Sequence, residues 1–263
     1  SLAQTTDQGA RTAIFRAQLQ GLTLSKVQMI FAQKQDPSGR HHFGCRLVIG
    51  SDGFLYASLG ERFSQAKLAQ SLDNHFGKVI RIGLDGSVPK DNPFLGRADA
   101  LAEIYSYGHR NPQGVLLVGK NLYISEHGPR GGDELNLVEQ GNDYGWPFVT
   151  YGEPYGAGDY VRPSNTSTHD GYPKPLFYWV PSVAPTELIQ LPVNSGWGRW
   201  SGQIVMGTLR ENSLIFIELT SKTTTGEVST LNVGERIRDL EVDSLGTIIA
   251  TTDGGELLFI SSN

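Results

Sequence analysis

Arg46-Leu47-Val48-Ile49-Gly50-Ser51-Asp52-Gly53-Phe54-Leu55-Tyr56-Ala57-Ser58 is two short apolar runs either side of a Ser-Asp-Gly turn. The same pattern returns near the other end of the chain as Arg238-Asp239-Leu240-Glu241-Val242-Asp243-Ser244-Leu245-Gly246-Thr247-Ile248-Ile249-Ala250. Each copy predicts a strand, a tight hairpin turn and a second strand, because a glycine in the turn accepts the backbone conformation that twisted antiparallel strands require. Gly77-Lys78-Val79-Ile80-Arg81-Ile82 follows the first copy and Gly255-Glu256-Leu257-Leu258-Phe259-Ile260 the second, which supplies a third strand to each. Looser copies run from Pro112 through Leu122-Tyr123-Ile124-Ser125 to Leu135-Asn136-Leu137, and from Glu187 through Ile204-Val205-Met206-Gly207 to Leu214-Ile215-Phe216-Ile217. Repeated three-strand units of this kind are how propeller blades are written.

Outward from these units, Thr12-Ala13-Ile14-Phe15-Arg16-Ala17 and Val27-Gln28-Met29-Ile30-Phe31 read as two outer strands, the remnant of a partial blade within residues 1–35. A propeller closes only when its first and last blades meet, since open inner edges leave backbone groups unpaired. Ser1 to Gln35 therefore either completes a blade with the C-terminal strands, or the chain is a shortened relative of a larger propeller. The expectation is an all-β, single-domain propeller over residues 1–263, of about four to five blades; a β-sandwich is the structural rival. Helical periodicity is confined to a turn or two around Gln65 to Leu72.

The composition agrees and removes several function classes. With 32 Gly and 13 Pro among 263 residues and no heptad region, the chain is turn-rich and globular rather than coiled coil or collagen. A net charge of -5 with both signs interspersed offers no basic face for nucleic acid. The single cysteine, Cys45, excludes an internal disulfide framework. No apolar run reaches the roughly 20 residues that span a bilayer. Ser1-Leu2-Ala3-Gln4 lacks the regions of a secretory signal, which leaves the compartment open.

Three insertions interrupt the blade pattern, and loops between propeller strands are where ligand chemistry collects. His41 and His42, before the first inner strand, and the Glu61 to His75 loop bring an imidazole that could take a proton near neutral pH and a carboxylate that could orient it. Gly108 to Gly114 crowds Arg110, Asn111 and Gln113 into one turn, a set that suits carboxylates and carbonyls; a turn capping its own backbone is the bland alternative. His127 to Gly145 contains Gly128-Pro129-Arg130-Gly131-Gly132-Asp133-Glu134, whose carbonyls and carboxylates suit a hard cation such as calcium, although a solvated acidic loop is the commoner meaning. Arg236 and Arg238 alternate along one strand, share a face and expect an anion; parity points Asp239 and Glu241 away from Arg238. Neither a P-loop nor an HExxH pair is present, so phosphoryl transfer and zinc hydrolysis lack motif support.

Tyr107-Gly108-His109-Arg110-Asn111-Pro112-Gln113-Gly114, Glu126-His127-Gly128-Pro129-Arg130-Gly131-Gly132-Asp133-Glu134-Leu135-Asn136 and Asn142-Asp143-Tyr144-Gly145-Trp146-Pro147 together resemble the soluble quinoprotein glucose and aldose sugar dehydrogenases. The resemblance runs from about His41 to Ile260. It implies a six-bladed propeller that binds pyrroloquinoline quinone (PQQ) and calcium and oxidises an aldose at C1, with an external electron acceptor. It further implies that His42 is the base and Glu61 its acidic partner, that Arg110, Asn111 and Gln113 contact the cofactor, and that Arg236 and Arg238 bind its carboxylates. The carbonyls of Gly128 and Pro129 are the implied calcium ligands. Arg210 stands where the family usually has a lysine, a non-neutral exchange because a guanidinium and an ammonium bond differently. A periplasmic or secreted address is implied, and an open edge strand would favour a homodimer. The family's N-terminal blade has no counterpart in this reading, so a noncatalytic, shortened binding propeller is the rival function. Substrate contacts are expected from loops such as Tyr151 to Tyr172.

Overall fold

The computed structural model describes residues 1–156 and 169–262, so most of the Tyr151 to Tyr172 loop expected to touch substrate lies outside the described residues. Eighteen strands among the described residues form five antiparallel sheets in which sequence neighbours are also spatial neighbours. The first sheet is β1 (Leu2–Thr5), β2 (Ala10–Gln20) and β3 (Thr23–Ala32). The second is β4 (Gly44–Ile49), β5 (Leu55–Leu59), β6 (Lys78–Ile82) and β7 (Ile104–Tyr107). β8 (Pro112–Val118), β9 (Asn121–Glu126), β10 (Asp133–Val138) and β11 (Phe177–Trp179) form the third. The fourth holds β12 (Pro185–Gln190), β13 (Ile204–Thr208), β14 (Ser213–Ser221) and β15 (Thr224–Asn232), and the fifth β16 (Ile237–Val242), β17 (Ile248–Thr252) and β18 (Leu257–Ile260). The fold class is thus an all-β propeller of five blades, as the repeated units predict.

The repeat is physical as well as textual. At residues 50–54, 83–87, 243–247 and 252–256 the same turn recurs: the first residue's amide donates to the fifth's carbonyl, and a glycine in fourth position donates back to the first. Those glycines, Gly53, Gly86, Gly246 and Gly255, have φ of 81°, 87°, 91° and 86°, a region closed to most side chains.

The chain divides into two compact units, one built on Ser1–Pro112 with Glu139–Val149, the other on Gln113–Val138 with the chain from Lys174 on. In the first, Ile14 and Phe31 pack with Leu55, Ala57, Leu59, Ile80 and Ile82, closing the first sheet onto the second. In the second, β13 and β14 are buried on both faces: Ile204, Met206, Ile215 and Ile217 enter one apolar cluster, while Val205, Leu214 and Phe216 enter another. A strand buried on both faces needs a continuous apolar run, which is what Ile204-Val205-Met206 and Leu214-Ile215-Phe216-Ile217 supply.

Four strands escaped the sequence reading. β1, β7, β11 and β15 are outermost in their sheets, and an edge strand needs no strict alternation. β15, Thr-Thr-Gly-Glu-Val-Ser-Thr-Leu-Asn, is half exposed throughout and reads as a polar loop. The expected helical turn is a 3-10 turn at Ala66–Gln70.

Candidate active site

The ends of β4 and β5 carry the central pair. Leaving β5, the backbone of Gly60 runs so close to the next loop that a Cβ there would sit 2.2 Å from the His42 carbonyl oxygen, so only glycine fits. Gly60 N donates to Phe43 O (3.2 Å), Arg62 N to His42 O (3.2 Å) and Glu61 N to Arg110 O (2.9 Å). This lacing brings the His42 Nδ1 to 2.9 Å from Glu61 Oε1. A carboxylate only accepts, so Nδ1 carries the proton and Nε2 keeps its lone pair. Burial pushes the imidazole below its usual pKa; the hydrogen bond to Glu61 works against that shift, and the nearby Arg110 charge adds to it. His42 is therefore a neutral base at neutral pH with 14% of its side chain exposed, whereas Glu61 is 1% exposed. Glu61 Oε2 has no hydrogen-bond partner among the described residues, an unusual condition for a buried carboxylate oxygen.

The loop is strained. His42, Arg62 and Phe63 have φ of 50°, 61° and 64°, the left-handed region that costs a non-glycine residue about 1–2 kcal/mol. The Arg62 guanidinium offsets this cost by donating to the carbonyls of His41, Ala10 and Gly39 and by lying 3.7 Å from the ring centre of Phe43.

Arg110 and Asn111 are also buried in this unit. Their turn is fixed by Gly108 N donating to Ala69 O (3.0 Å), His109 N to Gly77 O (3.2 Å) and Trp146 N to Gly108 O (2.9 Å). The Arg110 guanidinium lies 5.2 Å from the Trp146 ring centre. Gln70 Nε2 holds both Trp146 O and Asp143 Oδ1 at 2.9 Å. Beneath them Lys78, with no exposed surface, donates to the carbonyls of Ala69 and Phe76, and burial pulls its pKa down to about 7. Sequence reading missed Lys78 and Gln70, which carry no motif signal; Lys78 looks like any polar residue at a strand start.

The remaining expected residues belong to the second unit. Gln113 is the second residue of β8 and half buried. Gly128 lies in a tight loop, where a Cβ would sit 2.3 Å from the carbonyl oxygens of both Gly131 and Gly132. The loop is pinned by Asp133, which is fully buried. Its Oδ1 accepts from Gly128 N (2.9 Å), and its Oδ2 accepts from Ser182 Oγ (2.6 Å), Val183 N and Ala184 N (both 2.8 Å). Pro129 O accepts from Tyr155 Oη at 2.8 Å. Among the described residues no group of three His, Cys, Asp or Glu could hold a metal, so any cation here would rest chiefly on backbone carbonyls.

Arg210 is exposed and donates to Ser182 O (3.1 Å). Arg236 and Arg238 share a face, as their spacing predicts, and both bond the Asp253 carboxylate, Arg236 Nε at 2.7 Å. The bonds from Arg238 and Arg236 hold Asp253 well below the usual carboxylate range, to about 2. One expectation needs correcting. Strict parity put Asp239 on the face opposite Arg238, but β16 bulges between Ile237 and Asp239, and burial runs buried, exposed, exposed, buried from Ile237 to Leu240. The extra residue breaks the alternation, and the carboxylate facing the arginines is Asp253, one residue beyond β17.

A family model described as glucose / sorbosone dehydrogenase matches residues 1–259, so the likeness begins well before His41 and takes in the first sheet. An aldose sugar dehydrogenase of Escherichia coli is 37% identical over 247 residues, covering 90% of this chain and 66% of that protein. The chain thus spans about two thirds of that relative's length. The solved apo-form soluble aldose sugar dehydrogenase of Escherichia coli matches 99% of this chain and 77% of its own at a TM-score of 0.91 and 32% identity. A PQQ-bound aldose sugar dehydrogenase from Streptomyces coelicolor matches 98% of this chain and 72% of its own, with a TM-score of 0.74 and 26% identity.

Proposed function

The chain belongs to the glucose / sorbosone dehydrogenase family, and from that premise we propose that it oxidises aldose sugars at C1 with His42 as the general base. The observation that carries the reading is the buried His42–Glu61 pair at 2.9 Å, which fixes the tautomer and leaves Nε2 free to accept a hydroxyl proton. Burial keeps the imidazole neutral, and Glu61 stabilises the imidazolium once the proton arrives.

The residues present fit PQQ and calcium. Arg236 and Arg238 already embrace a carboxylate, the chemistry a polycarboxylate cofactor offers them. In the first unit Arg110 and Asn111 would offer such a cofactor a cation and an amide, and in the second Gln113 would offer an amide and Arg210 a guanidinium. The Gly128 and Pro129 carbonyls are hard oxygen donors on a loop that Asp133 holds rigid. When bound, the quinone supplies the two-electron acceptor for the C1 hydride, and calcium a Lewis acid. The protein's own part is to hold the sugar, take the hydroxyl proton at His42 Nε2 and fix the cofactor's carboxylates. On the family resemblance we place the protein in the periplasm or outside the cell, serving an external electron acceptor.

The test is titration of the purified protein with PQQ and calcium, followed by dye-linked oxidation of a panel of aldoses. Saturable quinone binding, with sugar-dependent dye reduction that falls about 10²- to 10⁴-fold in His42→Ala, is expected. Absence of quinone binding would overturn this reading in favour of a noncatalytic binding propeller.

A further inference from the structure

Phe63 is a large aromatic placed where folding alone gives it no reason to be. It is 46% exposed. A scattered exposed apolar residue needs no explanation, but Phe63 also sits at φ 64° in the middle of a three-residue turn closed by Ser64 N donating to Arg62 O (2.7 Å), a rare and strained turn. Glycine would relieve the turn. The preceding Arg62 spends its three carbonyl contacts and its ring contact with Phe43 on holding this conformation.

The ring is aimed at the base. Its centre lies 5.3 Å from that of His42 with the planes at 78°, and 5.8 Å from that of His41 at 58°. Strain kept at one spot by several unrelated contacts is a pointer to function rather than to stability. A half-exposed aromatic whose plane stands nearly perpendicular to that of the proton acceptor's ring, 5.3 Å between centres, offers a flat apolar platform beside that acceptor for an occupant with a polar rim. A pyranose has this form: one face of axial C–H groups and an equatorial rim of hydroxyls.

Resting on the oxidoreductase reading above, we propose that Phe63 is the sugar-stacking, specificity-determining residue of this site, which packs against the C–H face of an aldopyranose and presents its C1 hydroxyl to His42. The platform favours pyranoses with equatorial hydroxyls over those with an axial hydroxyl on the stacked face.

Two measurements decide it. In the dye-linked assay with glucose, Phe63→Ala and Phe63→Gly are expected to raise KM roughly three- to tenfold with kcat little altered. Phe63→Tyr restores KM, and the acid limb of the kcat/KM profile stays in place. A ring that merely shields His42 would instead shift that limb, and an unchanged KM or a shifted limb overturns the proposal while leaving the oxidoreductase reading intact. The second measurement needs no turnover: saturation-transfer NMR of the wild-type protein with the unreactive 1,5-anhydroglucitol. Transfer to the sugar's C–H face that Phe63→Gly abolishes supports the platform even if no sugar is oxidised. No transfer to the wild type, or equal transfer to both proteins, overturns it.

Discussion

Glu61, in the loop that follows β5 in the first unit, and Asp133, the first residue of β10 in the second, are both buried carboxylates, yet they are satisfied to opposite degrees. Asp133 accepts four hydrogen bonds across its two oxygens, three of them from backbone amides. Glu61 spends one oxygen on His42 and leaves the other without a hydrogen-bond partner among the described residues. A saturated buried carboxylate ties backbone segments together and has no capacity left for chemistry. An unsaturated one is costly to keep, and it stands beside a strained histidine whose side chain keeps 14% of its surface exposed. The contrast sets a scaffold carboxylate apart from one with an oxygen to spare for the chemistry proposed above. It also locates the stress: three non-glycine residues in the left-handed region surround Glu61, whereas the Asp133 loop takes its positive φ at Gly131 and Gly132.

Removing the saturated partner is expected to have the largest effect on stability. Asp133→Ala strands three amides and a hydroxyl, so unfolding free energy should fall by about 3–5 kcal/mol, read by urea denaturation; a loss under about 1 kcal/mol would mean that water replaces the carboxylate and that the loop is not pinned by it. Glu61→Gln should leave the fold nearly intact but slow sugar oxidation by about 10²-fold. Its pH profile gives the sign. The hydrogen bond and charge of Glu61 both raise the His42 pKa, so their loss should move the acid limb of kcat/KM to lower pH; a limb moving upward would break the assignment of His42 and Glu61 as one unit. Asp253→Asn should do least to the fold, leaving the urea midpoint essentially where it is, because the carboxylate and both arginines are accessible to water. It also removes the negative charge that both arginines hold, so PQQ should bind more tightly to the variant, measured by absorbance titration; weaker binding would show that Asp253 aligns the arginines rather than competing for them.

Legibility followed the same physical division. The Arg46–Ser58 and Arg238–Ala250 copies could be read because a hairpin is local: its turn glycine, its flanking apolar runs and its register lie within about a dozen residues. His42, Arg110 and Asn111 were legible because they stand in ordered strings of residue types, and Arg236 and Arg238 because strand parity is a local rule. Asp253 was not, since it reaches the arginines through the β16–β17 pairing rather than through sequence, and a bulge had already broken the parity used to search for their partner. Lys78 and Gln70 were hidden for a similar reason: Lys78 donates to the Ala69 carbonyl and Gln70 to that of Trp146, and any residue type supplies a carbonyl.

By itself, the sequence determined that this chain is a turn-punctuated, all-β repeat, and it singled out a histidine, an acid and a set of arginines and amides as candidates for chemistry. Only the tertiary structure decided which oxygen of which carboxylate is spare, which arginines already hold a partner and which aromatic ring stands beside the base. Those are properties of atoms brought within about 3–5 Å by pairings tens of residues apart, and no local pattern encodes them.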